Sequence, residues 1–425
     1  MRKFILSIFI TFSFSLAFSQ SVKQEVYADK NKMCNNHLRY QDPKEKYTTA
    51  PKGYKPVYIS HYGRHGSRYH WTADDYQYFY NIFKNAEKAG VLTDLGKSAA
   101  QRIYRLYNDA ALRAGDLTQT GREQHAGIAK RMVNNFPEVF DGNAKIDVKA
   151  SQSQRCIMSM DAFLLQLKTM CPKVEITAET SKRIMKYICY APWDTVQKYM
   201  NDTLWTNNYE TFHQKHVNPD RMMKAIFSDS SYVAQNIDAV HFMRKLHEIH
   251  GTMQGIDDLD FDFADLFTDD ELYGCWLVQN AWWYGSYGKC PLTRGNGAKL
   301  GKYLLTQILD DADYALDNNI QATLRFGHDT GILPLVSLMQ LEGCNANITD
   351  LEQLSENWCD FKIIPMAANF QMIFYKSKKS NTILVKVLLN EKEVDLPITP
   401  KNNDIAPYYN WNDVEAYYRN IVNQI

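Results

Sequence analysis

Residues 57–62 run Val-Tyr-Ile-Ser-His-Tyr, β-branched and aromatic throughout, a pattern that predicts a strand. The run breaks at Gly63-Arg64-His65-Gly66. Apolar residues then recur at helical spacing over about 94–114. A second helix is predicted from Thr120, where Thr120 and Glu123 can form a capping box ahead of Ile128, Met132 and Val133. Residues 145–150 read as another strand, and Ile157, Met160, Phe163, Leu164 and Leu167 follow at the spacing of a helix face.

From about 175 to 290 the texture is different. Long amphipathic stretches rich in Met and Trp dominate, with few strand-like runs, as in a helical insertion. Beyond it, 302–315 is predicted helical, 321–326 a strand ending at Gly327, and 331–341 a helix. Residues 370–375 and 383–389 are predicted strands joined by a polar turn over 376–382. Strands alternating with helices at this spacing predict an α/β fold, a mostly parallel sheet with helices on both faces. The α/β domain is expected to span 20–170 and 291–425, and the insertion 171–290.

Charge sharpens this outline. The 425 residues carry 48 Lys+Arg against 48 Asp+Glu, a formal net charge of zero, which argues against nucleic acid as a partner. With 45% hydrophobic and 23% charged residues, the chain has the composition of a globular protein. Arg2 and Lys3 precede an uncharged apolar run over 4–18, and Ala17-Phe18-Ser19 supplies small residues for cleavage. Residues 1–19 are therefore expected to be a signal peptide and the protein to be exported, periplasmic or secreted. No other stretch is long and apolar enough to span a bilayer, so no membrane association is expected after cleavage. Eight cysteines, none in a C-x-x-C pair, permit disulfides in such a compartment, with Cys275/Cys290 and Cys344/Cys359 the local pairs to test.

The candidate chemistry sits at strand ends. The first strand delivers Arg64, His65 and Arg68, the second Arg155, and the third His328 and Asp329. Groups at the carboxyl ends of strands in an open parallel sheet converge on one crevice. Three guanidinium groups there match phosphate oxygens and stay charged at any working pH. A neutral His can attack phosphorus once those oxygens are clamped. A carboxylic acid can protonate the leaving oxygen and afterwards activate water. The arginines supply the electrostatic stabilisation, so no metal or other cofactor is expected.

Arg64-His65-Gly66-Ser67-Arg68 resembles the R-H-G-x-R signature of the histidine acid phosphatases, and Gly327-His328-Asp329-Thr330 resembles their H-D motif. Leu117-Thr118, Ser153-Gln154-Arg155 and Asn390-Glu391 extend the likeness over about 50–400. The resemblance implies His65 as nucleophile and Asp329 as proton donor. It also implies that Arg64, Arg68, Arg155 and His328 bind the phosphate, and that a helical cap is inserted in the α/β domain. His61-Tyr62-Gly63, Arg325-Phe326-Gly327 and Pro365-Met366-Ala367-Ala368-Asn369 are most similar to multiple inositol polyphosphate phosphatases. That subgroup usually has H-A-E where this chain has His328-Asp329-Thr330, and many members have Pro where it has Tyr69-His70-Trp71. The implied substrate is a small phosphomonoester, phytate or another inositol polyphosphate. The alternatives are a broad acid or sugar-phosphate phosphatase and, more remotely, a non-catalytic phosphosugar- or carbohydrate-binding protein.

Several other features have plainer readings. The pairs His213/His216 and His247/His250 are expected at the surface or rim rather than on zinc, since no H-E-x-x-H accompanies them. His61 is expected to be packed inside, while His70 lies close enough to the site to touch substrate. Trp282-Trp283-Tyr284 is expected in the core, although aromatic stacking on a sugar is its rival reading. The acidic run over 257–271 lacks the spacing of a calcium loop, and Thr268 with Glu271 suits a helix capping box.

Overall fold

The computed structural model describes residues 21–190, 192–399 and 406–425; the expected signal peptide lies outside the described residues. Its strands are β1 Tyr54–Arg64, β2 Lys145–Ala150, β3 Glu175–Glu179, β4 Ala322–Gly327, β5 Asn369–Ser377, β6 Ser380–Leu389, β7 Lys392–Glu393 and β8 Tyr409–Asn410. They form one sheet in the order β3-β2-β4-β1-β5-β6-β7, with β8 on β6. The four strands from β3 to β1 are parallel, and β5 runs antiparallel to β1. The expected parallel sheet therefore holds in the half that carries the motifs. Beyond it the polar turn sends β5 straight back into β6, which only an antiparallel hairpin permits.

β4 is buried at all six positions, as a central strand covered on both faces must be. Helices Gln119–Asn135 and Gln154–Met170 pack on one face, where Ile128, Met132, Phe163 and Leu167 meet Ile146, Val148, Leu324 and Phe326. Helices Lys302–Asn318, Asp329–Leu338 and Trp411–Asn423 cover the other face, where Ile308, Leu335 and Val414 belong to one core with Tyr62, Phe374 and Val387. That second core continues without a break into the helical part. Arg325 on β4 is fully buried between the layers. It donates to Asp311 at 2.5 Å and to Ser60 Oγ at 3.0 Å, tying β4 to β1 and to helix Lys302–Asn318.

Several expectations change. Glu175–Glu179, placed in the insertion by its 171–290 boundary, is the edge strand beside β2, a short edge with no fully buried position. Helix Ala73–Ala89 was not anticipated. With Asp94–Ala110 it joins the helical part, where Phe79 meets Phe242 at 5.2 Å between ring centroids and Thr93 Oγ1 donates to the Ala225 carbonyl at 2.6 Å. The helix predicted from Thr120 is capped instead by Thr118, whose hydroxyl accepts from the Gly121 N–H, while Thr120 donates to Asp257. All eight cysteines are free thiols, so neither Cys275/Cys290 nor Cys344/Cys359 is bonded.

The Thr268–Glu271 capping box forms at the start of helix Asp269–Tyr287. The acidic run ahead of it is matched by cations from outside, with Arg39 on Asp257, Arg105 on Asp260 and Arg102 on Asp265. Trp283 and Tyr284 are buried in the core. His247 and His250 are buried rather than at the rim, and His247 Nε2 bonds the Met33 carbonyl at 2.8 Å. Among the described residues no helix is long and apolar enough to cross a membrane.

Candidate active site

Strand register places the motifs side by side. Arg64 on β1 pairs with Gly327 on β4, and Phe326 pairs with Ala150 on β2. The segments that follow leave the sheet at one edge, the place where an open parallel sheet presents ligand-binding groups. The His65 N–H donates to the Gly327 carbonyl at 3.0 Å and the Ser151 N–H to the Phe326 carbonyl at 2.9 Å.

The loop after β1 is shaped by a helix pressed against it. A Cβ on Gly66 would lie 2.4 Å from the Gly121 carbonyl oxygen, and one on Gly121 2.3 Å from that of Ser67, so neither position admits a side chain. Thr118 Oγ1 donates to the Ser67 carbonyl, and Gln124 exchanges two hydrogen bonds with Ser67. On the opposite side, Tyr62 donates its hydroxyl to the Ile188 carbonyl at 2.9 Å and accepts the His328 N–H at 3.1 Å. This fixes the start of helix Asp329–Leu338.

All six residues expected from the sequence are at this edge. His65 Nδ1 lies 2.9 Å from the Gly66 carbonyl; as that oxygen can only accept, Nδ1 carries the proton and the Nε2 lone pair is left open. Burial holds the imidazole well below its ordinary pKa, and Arg155, Arg64 and Arg68 push in the same direction. Both effects favour the neutral imidazole. Arg64 is fully buried, donates to the Asn36 and Ile364 carbonyls, and lies 2.9 Å from Asp329 Oδ2 in an ion pair. Arg68 donates to the Tyr69 carbonyl, and Arg155 Nη2 lies 3.5 Å from His328 Nδ1. The Nε atoms of Arg64, Arg68 and Arg155 are buried without a hydrogen-bond partner, and all three guanidiniums act on His65, a concentration of positive charge suited to an anion.

His328 Nε2 meets Ser151 Oγ at 3.0 Å, and its ring stands edge-on to His65 with centroids 5.7 Å apart. Burial and the adjacent Arg155 bring it down to about 4. Asp329 is the first residue of helix Asp329–Leu338. Its Oδ1 accepts the Thr330 N–H at 2.8 Å and its Oδ2 the Asn36 amide at 3.0 Å. Burial would raise this carboxyl, but Arg64, His328 and Arg68 outweigh it and hold it below the ordinary range. The site thus sets a neutral nucleophile and an ionised carboxylate around a strongly positive centre. That combination binds a phosphate and can exchange groups on it.

Two further residues of the site come from the polar, aperiodic stretch ahead of β1, where the sequence marks no element. Asn36 holds Asp329 and Arg64. His37, also buried, has neither ring nitrogen partnered and is held low by burial and by Arg68 and Arg64. No local pattern marks them, since their roles exist only through packing. His70 is completely buried with Nε2 2.6 Å from Asp75, so that nitrogen does not reach substrate. Among the described residues, His70, Asp75 and Glu248 form a group of possible metal ligands, but Lys245 sits on both carboxylates, at 3.1 and 3.4 Å.

Comparison with known proteins agrees with this geometry. A family model described as the histidine phosphatase superfamily (branch 2) matches residues 63–390. The chain is 21% identical to multiple inositol polyphosphate phosphatase 1 of Gallus gallus over 88% of this chain and 83% of that protein. Its fold is similar to the multiple inositol polyphosphate phosphatase of Bifidobacterium longum in complex with inositol hexasulfate, with a TM-score of 0.76, 18% identity, and 91% and 97% of the two chains covered. A phytase from D. castellii gives a TM-score of 0.68 at 16% identity, with 92% and 85% covered.

Proposed function

Because this chain belongs to the histidine phosphatase superfamily, branch 2, and is a phosphoric monoester hydrolase, we propose that it hydrolyses inositol polyphosphates, phytate among them, through a phosphohistidine on His65. One observation carries the mechanism. His65 has its proton fixed on Nδ1 by the Gly66 carbonyl and its open nitrogen among three arginines with unpaired donors. Nε2 attacks phosphorus as the P–O bond to the alcohol breaks, and Arg64, Arg68, Arg155 and His328 hold the other oxygens.

Asp329 delivers a proton to the departing oxygen. In the free protein it is ionised against Arg64. A bound phosphate draws on the same guanidinium charge and places an anion beside the carboxyl, and both effects raise its pKa toward the protonated form. After transfer, the Asp329 carboxylate takes a proton from water, which attacks phosphorus and breaks the P–N bond. The names of the relatives and the concentration of positive charge support a polyanionic substrate. We also propose export of the mature chain, on the leader pattern of residues 1–19, which predicts activity in the cell-free or periplasmic fraction.

The test is phosphate release from phytate, glucose 1-phosphate, bisphosphoglycerate and p-nitrophenyl phosphate, together with trapping of labelled enzyme at alkaline pH. Wild type is expected to prefer phytate and to hold alkali-stable, acid-labile phosphate; His65→Ala is expected to do neither. Turnover by His65→Ala at the wild-type rate would refute the mechanism, and a preference for glucose 1-phosphate would replace the substrate.

A further inference from the structure

We infer that residues 30–37, ahead of the first strand, form a wall of the active site and that Asn36 is the positioning residue for the Asp329 carboxyl. The inference rests on the reading of Asp329 as the leaving-group acid.

Asn36 is buried and joins three groups. Its side-chain amide donates to Asp329 Oδ2 at 3.0 Å, and its carbonyl accepts from Arg64 Nη1. Its backbone N–H faces Asp360, a fully buried carboxyl whose Oδ1 accepts from Trp276 Nε1 at 3.1 Å and from the Phe361 N–H at 2.8 Å. A polar chain thus runs from helix Asp269–Tyr287 through Asp360 and Asn36 to the acid.

The backbone is bent to make this reach. Asn35 has φ 57° and ψ −143°, a region that disfavours a side chain and persists only where the surroundings enforce it. Those surroundings include Gly251 on helix Ala239–Met253, where a Cβ would stand 3.2 Å from that of His37 and 3.3 Å from that of Cys34.

The need for Asn36 follows from what Arg64 does. In the free protein Asp329 Oδ2 lies between Arg64 and Asn36, and Oδ1 is on the Thr330 N–H. The ion pair with Arg64 is close but not aligned as a hydrogen bond, and Arg64 turns its charge to phosphate when substrate binds. Asn36 is then the donor that keeps Oδ2 in place, and with it the direction in which the carboxyl presents its proton.

In full-length Asn36→Ala, the single-turnover release of alcohol from glycerol 2-phosphate should fall about tenfold or more, as expected for a lost hydrogen bond to a charged group. Release of p-nitrophenol, which needs little acid assistance, should change by less than about threefold. Asn36→Asp keeps the size and sets a second carboxylate against the first. The groups facing Asp329 are Tyr62 and Arg64 from β1, Arg68 from the loop after it, His328 beside it, Cys156, Cys189 and Tyr287, with Asp360 behind Asn36. Against that fixed background the alkaline limb of kcat should move to higher pH. Equal losses on both esters, no loss at all, or an unmoved limb in Asn36→Asp would overturn the inference. A wild type that releases phosphate from neither ester nor from phytate would refute the phosphatase reading instead.

Discussion

At the scale of the residue, the site works by keeping two titratable groups in opposite states. His65 stays neutral because burial and three guanidiniums oppose a further positive charge, while two of them, Arg64 and Arg68, together with His328 keep Asp329 ionised until substrate arrives. Asp329→Asn keeps the shape and removes the proton. Its single-turnover rate with an alkyl phosphate should fall by about 10²- to 10⁴-fold, the range of general acid catalysis, and much less with p-nitrophenyl phosphate. Equal losses would remove Asp329 as the acid. Arg64, His65 and Arg68 were legible because one five-residue motif holds them, and Arg155, His328 and Asp329 because each follows a predicted strand. Asn36 and His37 were not, because the bend at Asn35 and the close packing at Gly251 bring them in from a stretch without periodicity.

At the scale of the element, the parallel strands keep their register partly through a buried charge. Arg325 has no exposure and bonds Asp311 on the neighbouring helix at 2.5 Å. Removing only the carboxylate leaves a buried cation uncompensated, so Asp311→Ala should cost about 3–5 kcal/mol in chemical denaturation. A change under about 1 kcal/mol would mean that Ser60 and the His61 carbonyl suffice for Arg325. Asp311 is held below its ordinary value: burial raises it, but Arg325 and Lys149 more than offset this. Its contribution is therefore present above about pH 4 and is lost as pH falls further. The long buried strands were legible from their apolar runs. β3 was not, because five residues at a sheet edge with no fully buried position carry almost no hydrophobic pattern. The helix cap was misplaced by two positions because Thr118 and Thr120 are equally good caps locally, and contact with Ser67 selects the first.

At the scale of the whole molecule, neutral histidines are stored in the interior. Burial brings His61 and His247 down to about 3 and His125 to about 4. Each has a folded pKa below its unfolded value near 6.5, so its neutral form stabilises the fold fully above that pH and progressively less below it. By pH 5 each should withdraw about 2 kcal/mol, and urea midpoints should fall steeply between pH 7 and pH 5. Equal midpoints would show that these rings titrate as they do in water. Such a fold suits work near neutrality better than in strong acid. The wall formed by residues 30–37 also sets an order of events during synthesis. Asn36 leaves the ribosome early, yet its partner Asp329 is 293 positions later, and Asp360 later still. Contacts so distant along the chain form late. The loop after β1 likewise waits for the Gly327 and Ala368 carbonyls that accept from His65 and Arg64, so phosphatase activity belongs only to the finished molecule.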